Sequence, residues 1–324
     1  MLFSEYDLEL FSKPLSTTEE NKCKNAIRMV ADALKELSFT DDNKEITPMY
    51  ADTLSYHLEL RSLDNKRYIK IFVQGSYANN TNVRTHSDVD IAVIQEERFS
   101  VKYRSNQSNE LFGFITLPPA AHSFKDEVEY CLVQKFDQCV ERKNKSIKIN
   151  GNTYRKDADA VPCHRYRDYR SNYDNNSNNY IPGVVIIPDR GSSIINYPEQ
   201  HIANGRRKNA DTNHYYKKMV RIMKKIRYLM QEDANYAYKQ SANNVSSFML
   251  ESLLWNISDE WYIANCMSND KCTAFKNLVL LLASITDFTN YREANGIKPL
   301  CENSEQSLNL MSFISNLLCF YEIA

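Results

Sequence analysis

The chain is predicted to fold as an α+β protein, with a mixed sheet and a long helix in its first part and a lobe of helices alone in its second. Three observations predict this. A long amphipathic helix stands near the start, short β-branched and aromatic runs separated by turn residues fill the middle, and from about residue 211 every long segment has helical periodicity. With 324 residues, 43% of them hydrophobic, the chain suffices for one large or two modest domains with buried cores. The change in composition divides it into residues 1–204, the sheet-bearing core with its N-terminal helix, and residues 205–324, a helical lobe, with a ligand cleft expected between them.

Residues 16–37 open with Ser-Thr-Thr and acids, a capping signal, and then repeat Ala26, Met29, Val30, Ala33 and Leu34 at helical spacing. Residues 68–73 (YIKIFV) and 89–94 (VDIAVI) read as strands, joined by the turn-rich connector GSYANNTNVRTHS. A helix is predicted over 124–142, a strand pair over 146–150 and 154–161 joined at Asn150-Gly151, and a short strand over 184–187. Residues 165–180 (RYRDYRSNYDNNSNNY) crowd out aliphatics and read as a loop or rim insertion. Helices follow over 213–231, 245–256, 274–291 and 304–321.

Charge excludes some functions. Lys+Arg number 40 against 41 Asp+Glu, so no global field holds a polyanion to the surface. The longest apolar stretch, 278–285, is far short of the roughly 20 residues a membrane span needs. The N-terminus MLFSEYDLEL has acids where a signal peptide has bases, so a cytosolic protein is expected. Eight cysteines lie scattered without a C-x-x-C pair, which predicts reduced thiols and no zinc knuckle.

The informative run is QGSYANNTNVRTHSDVDIAVI, residues 74–94. Successive strand side chains alternate faces, so Asp88 and Asp90 project from one face while Val89 and Ile91 enter the apolar side. Two acids on one face repel unless a cation joins them. Hard oxygen ligands suit Mg²⁺ or Mn²⁺, and a pair of such ions roughly 3.5–4 Å apart can activate an attacking hydroxyl and neutralise a leaving pyrophosphate. Gly75 permits a tight turn that brings a backbone N–H and the Ser76 hydroxyl to phosphate oxygens. A third acid comes from KDADAVPCHRY: Asp157 and Asp159 share a face and both are open, with Asp159 preferred because it directly precedes an apolar stretch. Asp159 would then be the base, or the base's anchor, for the attacking hydroxyl.

A strand, a Gly-Ser turn, a D-x-D strand and a later Asp together resemble the DNA polymerase β-type nucleotidyltransferase superfamily. Within it the sequence is most similar to the bacterial cGAS/DncV-like nucleotidyltransferases. The match is carried by QGSYANNTNVRTHSDVDIAV, DADAVPC, INYPEQHIANGRRKNADTNHYYKKMVRIMKKIR and SSFMLESLLWNI, and by the N-terminal helix, which matches the family's spine helix. The third stretch reads as a phosphate-facing helix, dense in Lys217, Lys218, Arg221, Lys224, Lys225 and Arg227 and with Met219, Val220, Met223 and Ile226 as its apolar stripe, a solvated face being the competing reading for most of these basic residues. The resemblance implies that Lys224 and Ser247 hold the donor triphosphate and that Phe248 stacks on a base, with Gln74, Gly75 and Ser76 completing the nucleotide site. It further implies a cyclic di- or trinucleotide synthase of anti-phage (CBASS) signalling that uses ATP and a second NTP and two Mg²⁺ or Mn²⁺ ions. An effector reading the product, a monomeric state and no membrane association go with that reading. The zinc-binding insertion by which the family's animal member grips DNA is missing, so no DNA activator is expected. A linear-oligonucleotide or protein-AMPylating transferase, and a silent nucleotide-binding module, are the competing readings.

Overall fold

A computed structural model describes residues 3–42, 44–50, 53–83, 88–118, 120–266 and 270–322. The end of the predicted connector, residues 84–87, lies outside the described residues. In chain order the elements of the first half are α1 (Glu5–Ser12), α2 (Thr17–Leu34), β1 (Phe39–Thr40), β2 (Thr47–Pro48), β3 (Tyr56–Ser62), β4 (Tyr68–Val73), the single turn α3 (Gly75–Ala78), β5 (Val89–Lys102), α4 (Asn109–Phe112) and α5 (Phe124–Phe136). Strands β6 (Val140–Arg142), β7 (Ile147–Ile149), β8 (Ala158–Asp168), β9 (Ile181–Ile186) and β10 (Ile194–Asn196) follow. Helices α6 (Pro198–Asp211), α7 (Tyr216–Glu232), α8 (Tyr236–Asn243), α9 (Ser247–Trp255), α10 (Asp259–Cys266), α11 (Lys271–Ala283) and α12 (Ser304–Phe320) complete the chain.

These elements form two compact units: Ser16–Ala78 with Asp88–Glu199, and Met1–Leu15 with Asn79–Ser87 and Gln200–Ala324. The units interleave in sequence, whereas composition gave a single cut after residue 204. Composition registers helical content, but only long-range packing, such as that of α1 on α7, assigns the first fifteen residues to the helical unit.

In the sheet unit the strand order is β1-β3-β4-β5-β8-β7-β6, with β2 on β3, β9 on β8 and β10 on β9. The central pair, β5 and β8, is parallel and sits among antiparallel neighbours. Val89, Ile91 and Val93 are fully buried, as alternation from Asp90 requires. Helix α2 begins with a capping box in which the Ser16 hydroxyl accepts from the Glu19 amide and the Glu19 carboxylate accepts from the Ser16 amide. Its Ala26, Ile27, Val30, Ala33 and Leu34 are buried, and it packs on β3, β4 and β5.

Two sequence-based boundaries change here. The helix expected over 124–142 stops at Phe136, because Asp137 takes a positive φ of 47° and residues 140–142 pair with β7 instead. Sheet pairing outweighs local helical preference. The loop expected over 165–180 starts later, since β8 continues to Asp168 with Arg165 buried. The remainder is a packed turn around buried Tyr169, where the Asn172 carboxamide donates to the carbonyls of Asn176 and Asn179 at 2.6 and 2.8 Å.

In the helical unit α7 packs against α1, α8 and α9, and its Met219, Val220, Met223 and Ile226 share one buried cluster with Leu250, Leu253 and Leu254 of α9 and with buried residues of α11 and α12. Helix α11 ends at Ala283, short of the expected 291, because the Asp287 carboxylate takes the Thr289 amide and hydroxyl and stabilises a turn. The basic run on α7 is not a solvated face. Lys217, Arg221, Lys224 and Arg227 are buried, and Arg221 and Arg227 donate to the carbonyls of Asn80 and Val245, each at 2.6 Å. All eight cysteines are thiols, with Cys23, Cys131 and Cys163 in the interior. Among the described residues no helix is long and apolar enough to cross a membrane.

Candidate active site

The acidic centre is built by the register of the sheet. At the end of β4 the Gln74 amide donates to the Asp90 carbonyl at 2.9 Å, so strand pairing persists into the turn. Gly75 then adopts φ +67°, and a Cβ added there would stand 2.7 Å from Asp90 Oδ2. Glycine is therefore required twice, for the left-handed backbone and for the close approach of the carboxylate. Across the parallel β5–β8 pair Asp90 is aligned with Asp159, and the Val89 amide donates to the Asp157 carbonyl at 2.9 Å. Paired residues of adjacent strands point to the same face, so the Asp90 and Asp159 carboxylates stand side by side.

Burial, followed by the charges of Asp159 and then Asp88, pushes the Asp90 carboxyl up to about 7. Asp159 is raised as well, by burial and by Asp88, although a hydrogen bond from the Ser146 hydroxyl at 3.1 Å opposes the rise. Lys148 of β7 partly offsets this concentration of charge, lying 3.0 Å from Asp88 Oδ2 and 3.3 Å from Asp157 Oδ2. Asp157 is spent differently from Asp159: its Oδ1 accepts the Gly151 amide at 2.6 Å and closes the β7–β8 turn. Of the two acids that sequence leaves open, Asp159 is the one aligned with Asp90. Asp88, Asp90 and Asp159 together offer an oxygen-only donor set suited to a divalent cation.

In the helical unit Lys224 is buried, and its ammonium donates to Glu251 Oε2 at 2.5 Å and to the Thr81 hydroxyl at 3.2 Å. Ser247 is the first residue of α9, while the cap itself is Ser246, whose hydroxyl accepts the Met249 amide at 3.0 Å. Phe248 is partly buried and packs edge-to-face on the His201 ring, with centroids 5.0 Å apart.

Comparison with known proteins gives this arrangement its context. Residues 57–149 match the family model for a nucleotidyltransferase domain, and residues 203–322 match that for a cGAS/DncV-like nucleotidyltransferase C-terminal helical domain. The chain is 44% identical to the cyclic GMP-AMP synthase CdnE03 of Staphylococcus schleiferi over 99% of its length and 98% of the relative's. The chain belongs to the cGAS/DncV-like nucleotidyltransferases. A second member, the cyclic dipyrimidine nucleotide synthase CdnE of Cecembia lonarensis, is 34% identical over 94% of this chain and 89% of its own. Among solved structures, the Rhodothermus marinus CdnE c-UMP-AMP synthase with Apcpp and Upnpp superposes with a TM-score of 0.71 at 25% identity, covering 99% of this chain and 98% of that one.

As a cGAS/DncV-like enzyme the chain is a metal-dependent nucleotidyltransferase with the polymerase β-like fold and a C-terminal helical domain. The acidic face of β5 and β8 fits that dependence through its oxygen-only donors. Sequence reasoning passed over Lys148, His201, Thr81 and Glu251. For Lys148 there was a signal, since a Lys between Ile147 and Ile149 must share the face of the acids if β7 pairs beside β8. Glu251 lies one helical turn beyond Ser247 in an otherwise apolar stretch, and an acid there needs a buried partner.

Proposed function

We propose that this cGAS/DncV-like nucleotidyltransferase joins two nucleoside triphosphates into a cyclic dinucleotide, releasing pyrophosphate at each of two steps. In each step a ribose hydroxyl oxygen attacks an α-phosphorus, the bond from that phosphorus to the β-phosphate bridging oxygen breaks, and the hydroxyl proton leaves. Two Mg²⁺ or Mn²⁺ ions, when bound, would stabilise the attacking and leaving oxygens. Asp88 and Asp90 would hold both ions, and Asp159 the one on the attacking side. Asp159 is also the group to receive the hydroxyl proton, or to anchor the water that does. Gln74, Gly75 and Ser76 would turn the backbone and a hydroxyl toward the donor phosphates, Lys224 and Ser247 would hold the donor triphosphate, and Phe248 would stack on a base. Residues 1–204 contribute the metal-binding acids and the Gly75-Ser76 turn, and residues 205–324 contribute Lys224, Ser247 and Phe248.

One observation carries this reading: Asp90 and Asp159 are aligned on parallel strands with Gly75 against the Asp90 carboxylate. A ring of two is supported by the related synthases named above, whose products are two-nucleotide rings with different bases. Guanine with adenine is the first composition to test, from the relative at 44% identity. The product would serve anti-phage signalling by a monomeric cytoplasmic enzyme, and a separate effector would read it. Pyrophosphate release from mixed NTPs with Mg²⁺ or Mn²⁺ tests the transfer. Asp88→Ala should abolish release and leave the melting profile cooperative, whereas near-normal release by that variant would remove the acid from the mechanism.

A further inference from the structure

The helical unit contains a buried charge cluster centred on Glu251, whose residue is 1% exposed. Its Oε1 lies 2.8 Å from His201 Nε2, and its Oε2 accepts from the Thr81 hydroxyl at 2.7 Å and from the Lys224 ammonium at 2.5 Å. Burial opposes ionisation of this carboxyl, but the adjoining Lys224 and His201 outweigh it and hold the group well below the usual range. A buried carboxylate meeting three donors on three different segments fixes all of them at once.

The segment fixed through Thr81 is the connector that follows the Gly75-Ser76 turn in sequence. Apart from Thr81, its side chains do little to hold it. The carboxamides of Asn79 and Asn82 are buried with no hydrogen-bond partner among the described residues, an arrangement that costs free energy and persists only when imposed from outside. The restraints come from the helices: Glu251 on Thr81 and Arg221 on the Asn80 carbonyl. Gly205 of α6 admits the connector, since a Cβ there would stand 2.5 Å from Asn79 Oδ1.

We infer that Glu251 is a positioning residue for the donor-phosphate site, its carboxylate fixing the Lys224 ammonium and the Thr81 segment in one arrangement before nucleotide arrives. The inference rests on the assignment of Lys224 to the donor phosphates. A lysine ammonium has three donors; Glu251 and Thr81 take two, and the third would serve a phosphate oxygen. A flexible side chain held in advance loses less entropy on binding, so the anchor is expressed as nucleotide affinity.

The test is the dissociation constant of a non-hydrolysable ATP analogue with Mg²⁺ for the full chain and for Glu251→Gln, Thr81→Val, Lys224→Met and the Lys224→Met/Glu251→Gln double variant, with melting curves for each. Glu251→Gln should weaken binding roughly tenfold or more and Thr81→Val a few-fold, the scale of one charge-assisted and one neutral hydrogen bond. In the Lys224→Met background Glu251→Gln should add nothing. Additive losses in the double variant, or a Glu251→Gln protein that melts lower but binds normally, would overturn the positioning role while leaving the phosphate role of Lys224 standing. Unchanged affinity in Lys224→Met would instead overturn the assignment of Lys224 itself, and the inference with it. Should Glu251→Gln fail to fold, Thr81→Val decides: a loss of affinity that disappears in the Lys224→Met background supports the anchor, and normal affinity refutes it.

Discussion

Replacing Asp90 by Asn should stabilise the metal-free protein at alkaline pH while destroying its activity. The Asp90 carboxyl is raised from 3.8 to about 7 by burial and by Asp159 and Asp88. A raised acid binds its proton more tightly in the folded chain than in the unfolded one. Between the two values folding therefore takes up a proton, and stability falls as pH rises until the folded-state value is passed. From pH 5 to pH 8 the wild type crosses about two units of this window, which at about 1.36 kcal/mol per unit costs roughly 2.7 kcal/mol. Residual solvent contact at the partly exposed side chain makes this an upper figure. Asn keeps the shape and cannot ionise, so the difference in stability between variant and wild type should grow by up to that amount. For a chain of this size the corresponding change in melting difference is roughly 5 °C. The assay is thermal unfolding in EDTA at pH 5, 6, 7 and 8, repeated with Mg²⁺. Magnesium should recover the wild type at pH 8 and leave Asp90→Asn unmoved. A melting difference that stays flat from pH 5 to pH 8 would refute the argument that the three acids repel one another in the folded chain.

Other substitutions separate the roles of neighbouring residues. Asp159→Asn should lower pyrophosphate release at least ~10³-fold, as expected when several kcal/mol of transition-state stabilisation are removed, while Asp157→Asn, which loosens the turn at Gly151, should stay within about tenfold. Equal losses would mean that the strand register does not select the ligand. Gly75→Ala puts a Cβ 2.7 Å from Asp90 Oδ2 on a left-handed backbone, and initial rates should fall about 10²-fold with only a modest drop in melting temperature. Phe248→Ala should raise the NTP concentration for half-maximal rate about 5- to 150-fold if the ring stacks on a base, and Phe248→Trp should restore it. Loss of melting temperature with unchanged nucleotide dependence would return Phe248 to its packing against His201.

Legibility in the sequence followed the range of the interactions. Residues 68–73 were readable to the residue because a β-branched, aromatic run between turn residues has few other uses. The capping box at Ser16 and Glu19 was equally local, and so was the requirement for glycine in the turn at residue 75. What could not be read depends on pairing across long separations. The choice between Asp157 and Asp159 turns on the β5–β8 register, and strand β6 exists only because β7 accepts it. The assignment of residues 79–87 to the helical unit depends on Thr81 and Asn80 meeting α9 and α7, more than a hundred residues away. The basic residues of α7 left two readings open for a related reason: a helix dense in Lys and Arg can be solvated or inward-facing until its partners, Glu251 and a set of backbone carbonyls, are known.

Conversion of nucleoside triphosphates into a ring is tested most directly by the product itself. Purified protein should be incubated with Mg²⁺ or Mn²⁺ and each combination of the four labelled NTPs, treated with phosphatase, and the surviving material weighed by mass spectrometry. A phosphatase-resistant product should form whose mass is that of two nucleoside monophosphates less two waters, and it should be absent from the Asp90→Asn reaction. A surviving product with a single internal phosphate, the trimmed linear dinucleotide, or label transferred to protein, would contradict cyclisation and leave only the nucleotidyl transfer.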